Sequence, residues 1–314
     1  MTSASNPASH PVVWLRHADQ HLGLVPTLGG SVAAWQMDHA ASPEGRLNLW
    51  RPWDGAAADL YQMASFAMLP WSNRISGGGF AQGGQFHPMQ PNRAGEPYPI
   101  HGDGWLQPWD WRQVGDDTLE MSLRSDCFQG NPYDYEAVQT FRLVPGGLDQ
   151  QVLVRHLGAE PMPYGLGLHP WFLRTPGTRI SAPVASVWLC GDDPIPVRQT
   201  ADFPPGWDLN AGISAHGDLI DNAYTGWGGS AQIDWPEWGV RLQAHMPHFA
   251  QDGGAAQHYC LIYRPPQGSS FCFEPITQPI DAFHLPGQPG LRVLAQGEVL
   301  RLSVQWRFGP LAAA

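Results

Sequence analysis

The feature that constrains this chain most is a hydrophobic period of two. Leu300, Leu302, Val304, Trp306 and Phe308 alternate with Arg301, Ser303, Gln305 and Arg307. Val240, Leu242, Ala244 and Met246 alternate with Arg241, Gln243 and His245, and Leu119, Met121 and Leu123 alternate with polar neighbours. Successive side chains of a strand point to opposite faces, so this pattern describes strands with one buried face. Turn residues join the runs. Pro145-Gly146-Gly147 separates a strand ending near Val144 from one over Leu148–Leu157. Gly115-Asp116-Asp117 separates Trp109–Val114 from Thr118–Arg124, and residues 265–269 separate Tyr259–Arg264 from Ser270–Pro275. Each predicts a hairpin. One stretch, Asp59–Met68, reads as a helix of one or two turns. No strand–helix–strand alternation runs through the chain, so a parallel sheet is disfavoured. The expected class is all-β, a large antiparallel β-sandwich or barrel with few short helices.

Composition agrees. The chain has 314 residues, 43% of them hydrophobic, enough for a large core. Its 36 Gly and 31 Pro are scattered without a period, which excludes collagen and fits many turns. No internal repeat or Ser/Gly-rich linker divides it. The expectation is a loose N-terminus over residues 1–11 and one sandwich domain over residues 12–314.

Charge and cysteine usage exclude whole function classes. All 17 basic residues are arginine. Without lysine there is no Schiff-base aldolase, no pyridoxal-phosphate anchor and no P-loop. A net charge of −11 argues against a nucleic-acid or anionic-membrane partner. Cys127, Cys190, Cys260 and Cys272 show no C-x-x-C spacing, so a finger-type zinc site is not expected. The first residues carry no basic segment followed by an apolar run, and no stretch approaches a membrane span. A cytoplasmic setting with reduced thiols is the expectation; the oligomeric state is not legible.

Four short polar segments interrupt the strand pattern. Leu69-Pro70-Trp71-Ser72-Asn73-Arg74-Ile75 precedes a glycine run, and Arg74 is either a site residue or a surface arginine before a flexible hairpin. In Ile100-His101-Gly102-Asp103-Gly104, His101 either faces a cleft or bonds a turn carbonyl. In Gly165-Leu166-Gly167-Leu168-His169-Pro170-Trp171-Phe172, His169 ends an apolar strand and is either functional or a core histidine with one hydrogen bond. In Phe271-Cys272-Phe273-Glu274-Pro275, the two phenylalanines share one face and Cys272 and Glu274 the other. A carboxylate closing an apolar strand is costly to bury without a partner, so Glu274 is either a raised-pKa functional group or half of an ion pair.

Taken in order, Asn73-Arg74-Ile75, Ile100-His101-Gly102, Gly167-Leu168-His169-Pro170 and Phe273-Glu274-Pro275 resemble the aldose 1-epimerases, or galactose mutarotases. The Val25-Pro26…Gly29-Gly30 segment with an alternating strand after it extends the resemblance, which runs from about Leu22 to Phe308. The resemblance implies a galactose mutarotase-like supersandwich with an open sugar cleft. It implies an isomerase that interconverts the anomers of a free aldose without metal or organic cofactor. It assigns the base to Glu274 and the acid to His169, and substrate binding to Arg74, His101, Asn73 and Asp221. The chain departs from the best-known members in two places. Leu168-His169-Pro170-Trp171-Phe172 replaces an Asn-His-Ser-Tyr-Phe type of run, and Pro275-Ile276 precede Thr277-Gln278 where a Thr-Gln pair normally follows the glutamate directly. These departures loosen the tie to galactose.

The chemistry needs no metal. Opening a pyranose removes the C1 hydroxyl proton while the ring oxygen gains one, which a paired base and acid can do together. Trp71 or Trp171 could stack on a sugar, although core packing is the commoner use of tryptophan. His245 and His248 are three apart, which in a strand places them on opposite faces, and no Cys or carboxylate flanks the candidate histidines at ligand spacing along the chain. Two other classes stay open: a non-catalytic carbohydrate-binding or sugar-sensing protein, and a glycoside hydrolase or lyase using Glu274 with Asp221.

Overall fold

The computed structural model describes residues 10–40, 42–55, 59–247 and 258–311. Residues 1–9, most of the expected loose N-terminus, and His248 lie outside them. His10 bonds Thr27 through Nδ1 at 3.1 Å. The first strand is Val13–His17.

The expected hairpins form. Asp134–Val144 and Gly147–His156 pair antiparallel with Val144 opposite Gly147, Asp110–Gln113 pairs Thr118–Asp126, and His258–Arg264 pairs Ser270–Ile276. Two large sheets result. One has nine strands and contains Val240–His245, Val299–Pro310, Gly147–His156, Asp134–Val144 and Thr118–Asp126 as neighbours. Its long strands alternate as the period requires, as where Leu300, Leu302, Val304 and Trp306 are buried while Arg301 and Gln305 are exposed. The other has eight strands, with Ile220–Trp227, His258–Arg264 and Ser270–Ile276 at its centre. The paired strands of both sheets run antiparallel, and the architecture is a galactose mutarotase-like β-sandwich in which the only helix among the described residues is isolated 3-10 turns.

A separate four-stranded sheet, Val13–His17 through Arg46–Asn48, shares their core through Leu22, Val32 and Trp35. Here two sequence expectations change. Ser31–Asp38 does not alternate but is buried on both faces, because Val32 and Trp35 enter the main core while Ala33 packs with Val25 and Met63. The expected helix over 59–68 shrinks to the 3-10 turn Leu60–Gln62, capped by Asp59 on the Tyr61 N–H. Tertiary bonding stops it: Ala64 N–H donates to Val32 O and Val32 N–H to Ser65 O, drawing the backbone into a sheet-like bridge. Among the described residues no helix is long and apolar enough to cross a membrane.

The central strands of the eight-stranded sheet explain where the polar residues go. Phe271, Phe273, Cys260 and Ile262 face the main core. The other face carries Tyr259, Leu261 and Ile276, which pack with Phe66, Met68, Ile100 and Trp105 from the 60–106 segment. Cys272 and Glu274 project from this second face, which the covering loops leave partly open.

Candidate active site

A cavity of about 440 Å³ opens on that face, lined among others by Arg51, Tyr61, Asn73, Arg74, Arg93, Glu96, His101, His169, Asp221, Tyr263 and Glu274. All six residues that the resemblance assigns to the site line this one cleft, from segments as far apart as 73 and 274. A slightly larger hollow of about 470 Å³ beside Trp14 and Trp53 contains none of them.

Glu274 and His169 form its floor. Glu274 sits on the Ser270–Ile276 strand, and His169 lies between two short strands that pair with it, Gly167 opposite Ile276 and Trp171 opposite Cys272. Two strand pairings thus fix the imidazole beside the carboxylate: Nε2 is 3.4 Å from Oε1, and both side chains are almost fully buried. Phe66 stacks on the His169 ring at 4.6 Å between centroids. Burial drives both groups toward their neutral forms. It raises Glu274 well above the usual carboxylate range, with the Asp221 charge adding and Arg74 opposing. It lowers His169 to about 3, against a backbone hydrogen bond that raises it and with the Arg51 and Arg93 charges adding to the fall. Among the described residues Glu274 Oε2 has no hydrogen-bond partner.

His101 is held differently. Asn73 and His101 both sit at left-handed φ, 56° and 61°, and bond reciprocally: Asn73 N–H donates to His101 Nδ1 at 3.2 Å and His101 N–H to Asn73 O at 3.0 Å. Because a backbone N–H can only donate, His101 Nδ1 is an acceptor and its proton resides on Nε2. Burial, then the His169, Arg74 and Arg93 charges, keep this ring neutral. Such strained non-glycine conformations persist only where surrounding structure enforces them, and they concentrate at functional sites. The next residue is one of the enforcers: Gly102 has φ +69° and a Cβ there would stand 1.9 Å from Leu69 O.

Arg74 is the hub of a charged network. Its Nε and Nη2 donate to Glu96 at 2.8 and 3.1 Å, and Nη1 to Asp221 at 3.3 Å and to Asn73 Oδ1 at 3.4 Å. Burial alone would lower its pKa, but the two carboxylates outweigh it and raise it. Asp221 is raised by burial, with Arg74 opposing.

Several lining residues carried no sequence signal. Glu96, which clamps Arg74, lies in an irregular loop. Arg51 donates to the carbonyls of Tyr61 and Met63 and lies 4.1 Å over the Trp171 ring, and Arg93 lies 3.6 Å over Tyr61. Of the two tryptophans considered for stacking, Trp71 is in the core against Tyr133 and does not line the cleft. Trp171 lines it but is capped by Arg51. The chain spacing had offered no metal-ligand set around the histidines; the fold makes one. His169, Cys272 and Glu274, all buried, bring one donor atom each within 4.8 Å of one another.

The fold and site define a class, antiparallel sandwiches with a polar cleft cut into one sheet face and a buried carboxylate–imidazole pair at its floor. The chain belongs to the aldose 1-epimerase family, whose model matches residues 11–307. It is similar to YphB, an uncharacterized protein of Escherichia coli K12, at 29% identity over 263 residues, covering 80% of this chain and 86% of the relative. Its structure is similar to that of an aldose 1-epimerase candidate from Escherichia coli K12, with a TM-score of 0.86, 26% identity, and coverage of 96% of this chain and 99% of the other. A galactose mutarotase-like protein from Clostridium acetobutylicum shares the fold at 16% identity, with a TM-score of 0.79 and 96% of each chain covered.

Proposed function

We propose that this protein is a mutarotase, a cofactor-independent isomerase that interconverts the α and β anomers of a free aldose. The observation that carries the reading is the side-by-side placement of His169 Nε2 and Glu274 Oε1, 3.4 Å apart at the cleft floor. In a pyranose the C1 hydroxyl and the ring oxygen are attached to the same carbon. A catalyst that takes a proton from one and gives a proton to the other needs its base and acid as near neighbours.

The two groups work as a unit that carries one proton. In the empty, buried site the neutral pair is favoured, with the proton on Glu274. A bound sugar donates from O1 to Glu274 and accepts at the ring oxygen from His169, which favours carboxylate and imidazolium. Glu274 then removes the O1 proton as His169 protonates the ring oxygen, and the C1–ring-oxygen bond opens. Rotation about C1–C2 presents the other carbonyl face, and the protons return. His101, its Nε2–H free of the backbone, donates to a sugar oxygen. Arg74, held by Glu96, and Asp221 orient hydroxyls, and Asn73 fixes the turn that places His101 and Arg74. The four free cysteines suit a cytoplasmic setting.

Asp221 speaks against the hydrolase alternative, since the second carboxylate is tied to Arg74 at 3.3 Å instead of standing free across a scissile bond. Polarimetry or NMR on freshly dissolved pure anomers tests the proposal. The expected result is accelerated mutarotation that falls by about 10²-fold or more in Glu274→Gln, with sugar affinity largely kept. Sugar binding without acceleration would instead make the chain a binding protein.

A further inference from the structure

The structure assigns a second capacity to the same floor: we propose that His169, Cys272 and Glu274 bind one thiophilic divalent cation of the zinc class, and that this ion is an inhibitor. The inhibitory part rests on the mutarotase reading; the binding part does not.

The donor set is the first argument. A nitrogen, a sulfur and a carboxylate oxygen with an open fourth position match a three-ligand zinc site. Zinc bonds of about 2.0–2.3 Å place tetrahedral ligands about 3.3–3.7 Å apart. His169 Nε2 and Glu274 Oε1 already stand 3.4 Å apart. Cys272 Sγ is 3.6 Å from His169 Nδ1, the other ring nitrogen, and with one nitrogen counted for the ring all three donors lie within 4.8 Å, so the thiol and the imidazole must turn for Sγ and Nε2 to share one ion.

Rigidity is the second. Cys272 and Glu274 are two apart on one strand and share a face, and His169 is pinned to that strand by pairings on both sides. The third is an unmet need. Among the described residues Glu274 Oε2 is buried without a partner, and an unpaired buried acceptor carries a desolvation cost that a cation gripped by both carboxylate oxygens removes. The cleft supplies the fourth position, open to water.

Binding is simple ligand exchange. The Cys272 S–H and Glu274 O–H bonds break, S–Zn and O–Zn bonds form as water leaves the ion, and both protons pass to solvent. His169 gives its Nε2 lone pair and Glu274 a carboxylate oxygen, and nothing is oxidised or reduced. Thiolate and carboxylate together neutralise the ion, which suits a low-dielectric site. The two atoms that move protons in mutarotation are then occupied, so turnover stops.

The test uses the full chain stripped with EDTA. Zn²⁺ is titrated by calorimetry, and Co²⁺ serves as a spectroscopic probe because a thiolate ligand gives a near-ultraviolet charge-transfer band. The expected result is one equivalent bound, with the band present. In Cys272→Ala the band is lost, and affinity falls about tenfold or more there and in His169→Gln. Cys272→Ser gives the same comparison if the alanine variant does not fold. Zinc should halve mutarotation at the concentration that half-fills the site, and EDTA should restore it. No uptake by the wild-type chain, or an unchanged band and stoichiometry in the Cys272 variants, overturns the proposal. Metal uptake by a chain with no mutarotation would leave the metal site standing and remove the proposed function instead.

Discussion

At the scale of single residues, the cleft floor is two groups that each prefer to be uncharged. This makes His169 a measurable burden on folding. Burial lowers its folded pKa to about 3 from the ordinary histidine value of 6.5. Between those values the unfolded chain binds a proton there that the folded chain refuses, so stability is lost as pH falls from 6.5 toward 3. Glu274 works in the opposite sense: its raised folded pKa means that stability is lost as pH rises above 4.5. The expected outcome for His169→Gln is a flatter acid limb in melting temperature against pH, together with strongly depressed turnover. A variant that kept wild-type turnover and lost only stability would make His169 a core residue. The strand-end position of Glu274 was legible because a carboxylate in the apolar run Phe271-Cys272-Phe273 is anomalous by itself. The 3.4 Å contact with His169 was not, since 104 intervening residues hide it from any local pattern.

At the scale of elements, period two located the strands wherever one face stays in solvent, as in Val299–Pro310 and Thr118–Asp126. It failed where both faces are covered. Ser31–Asp38 and Ser270–Ile276 are buried throughout or nearly so, and burial on both faces erases alternation. The turns around the cleft were legible only as glycine-rich, because their conformation is imposed by tertiary bonds. Asn92 illustrates this, with its amide donating to Ile100 O at 2.9 Å and Gly102 O at 2.7 Å while its Oδ1 accepts from Ile100 N–H at 2.8 Å. The element-scale prediction concerns Gly102. A methyl group at φ +69°, 1.9 Å from a backbone oxygen, has no flexible neighbour to displace. Gly102→Ala should therefore destabilise by at least the ~1–3 kcal/mol of a strained backbone position, and should disturb the neighbouring His101–Asn73 reciprocal bonds. Denaturant unfolding reads the first effect and sugar affinity the second. An unchanged midpoint would mean that the loop rearranges freely and does not hold His101.

At the scale of the whole molecule, the question is whether the sheets fold as one unit, as the absence of a linker led us to expect. The answer turns on an aromatic cluster where they meet. Trp35 comes from the four-stranded sheet, Trp306 from the nine-stranded sheet, and Phe172 from a strand of the eight-stranded sheet next to His169. Trp50 touches all three edge-on, with centroids at 5.1 Å from Trp35, 5.5 Å from Trp306 and 6.3 Å from Phe172. Its backbone is tied in as well, Trp50 N–H to Trp35 O at 3.3 Å and a bridge to Phe172. A residue shared by three sheets couples their unfolding, because none can open without exposing it. Removing it leaves a cavity at the junction, and Trp→Ala in a core costs about 3–5 kcal/mol. Trp50→Ala should lower the denaturant midpoint accordingly while near- and far-ultraviolet dichroism still report coincident transitions with one slope. Trp50 Nε1 has no hydrogen-bond partner among the described residues, so Trp50→Phe loses volume without losing a bond and should fall between wild type and alanine. Two separated transitions in the wild-type chain would show that the sheets are independent units. The cluster would then be a contact between them and not the common core that carries His169 into the cleft.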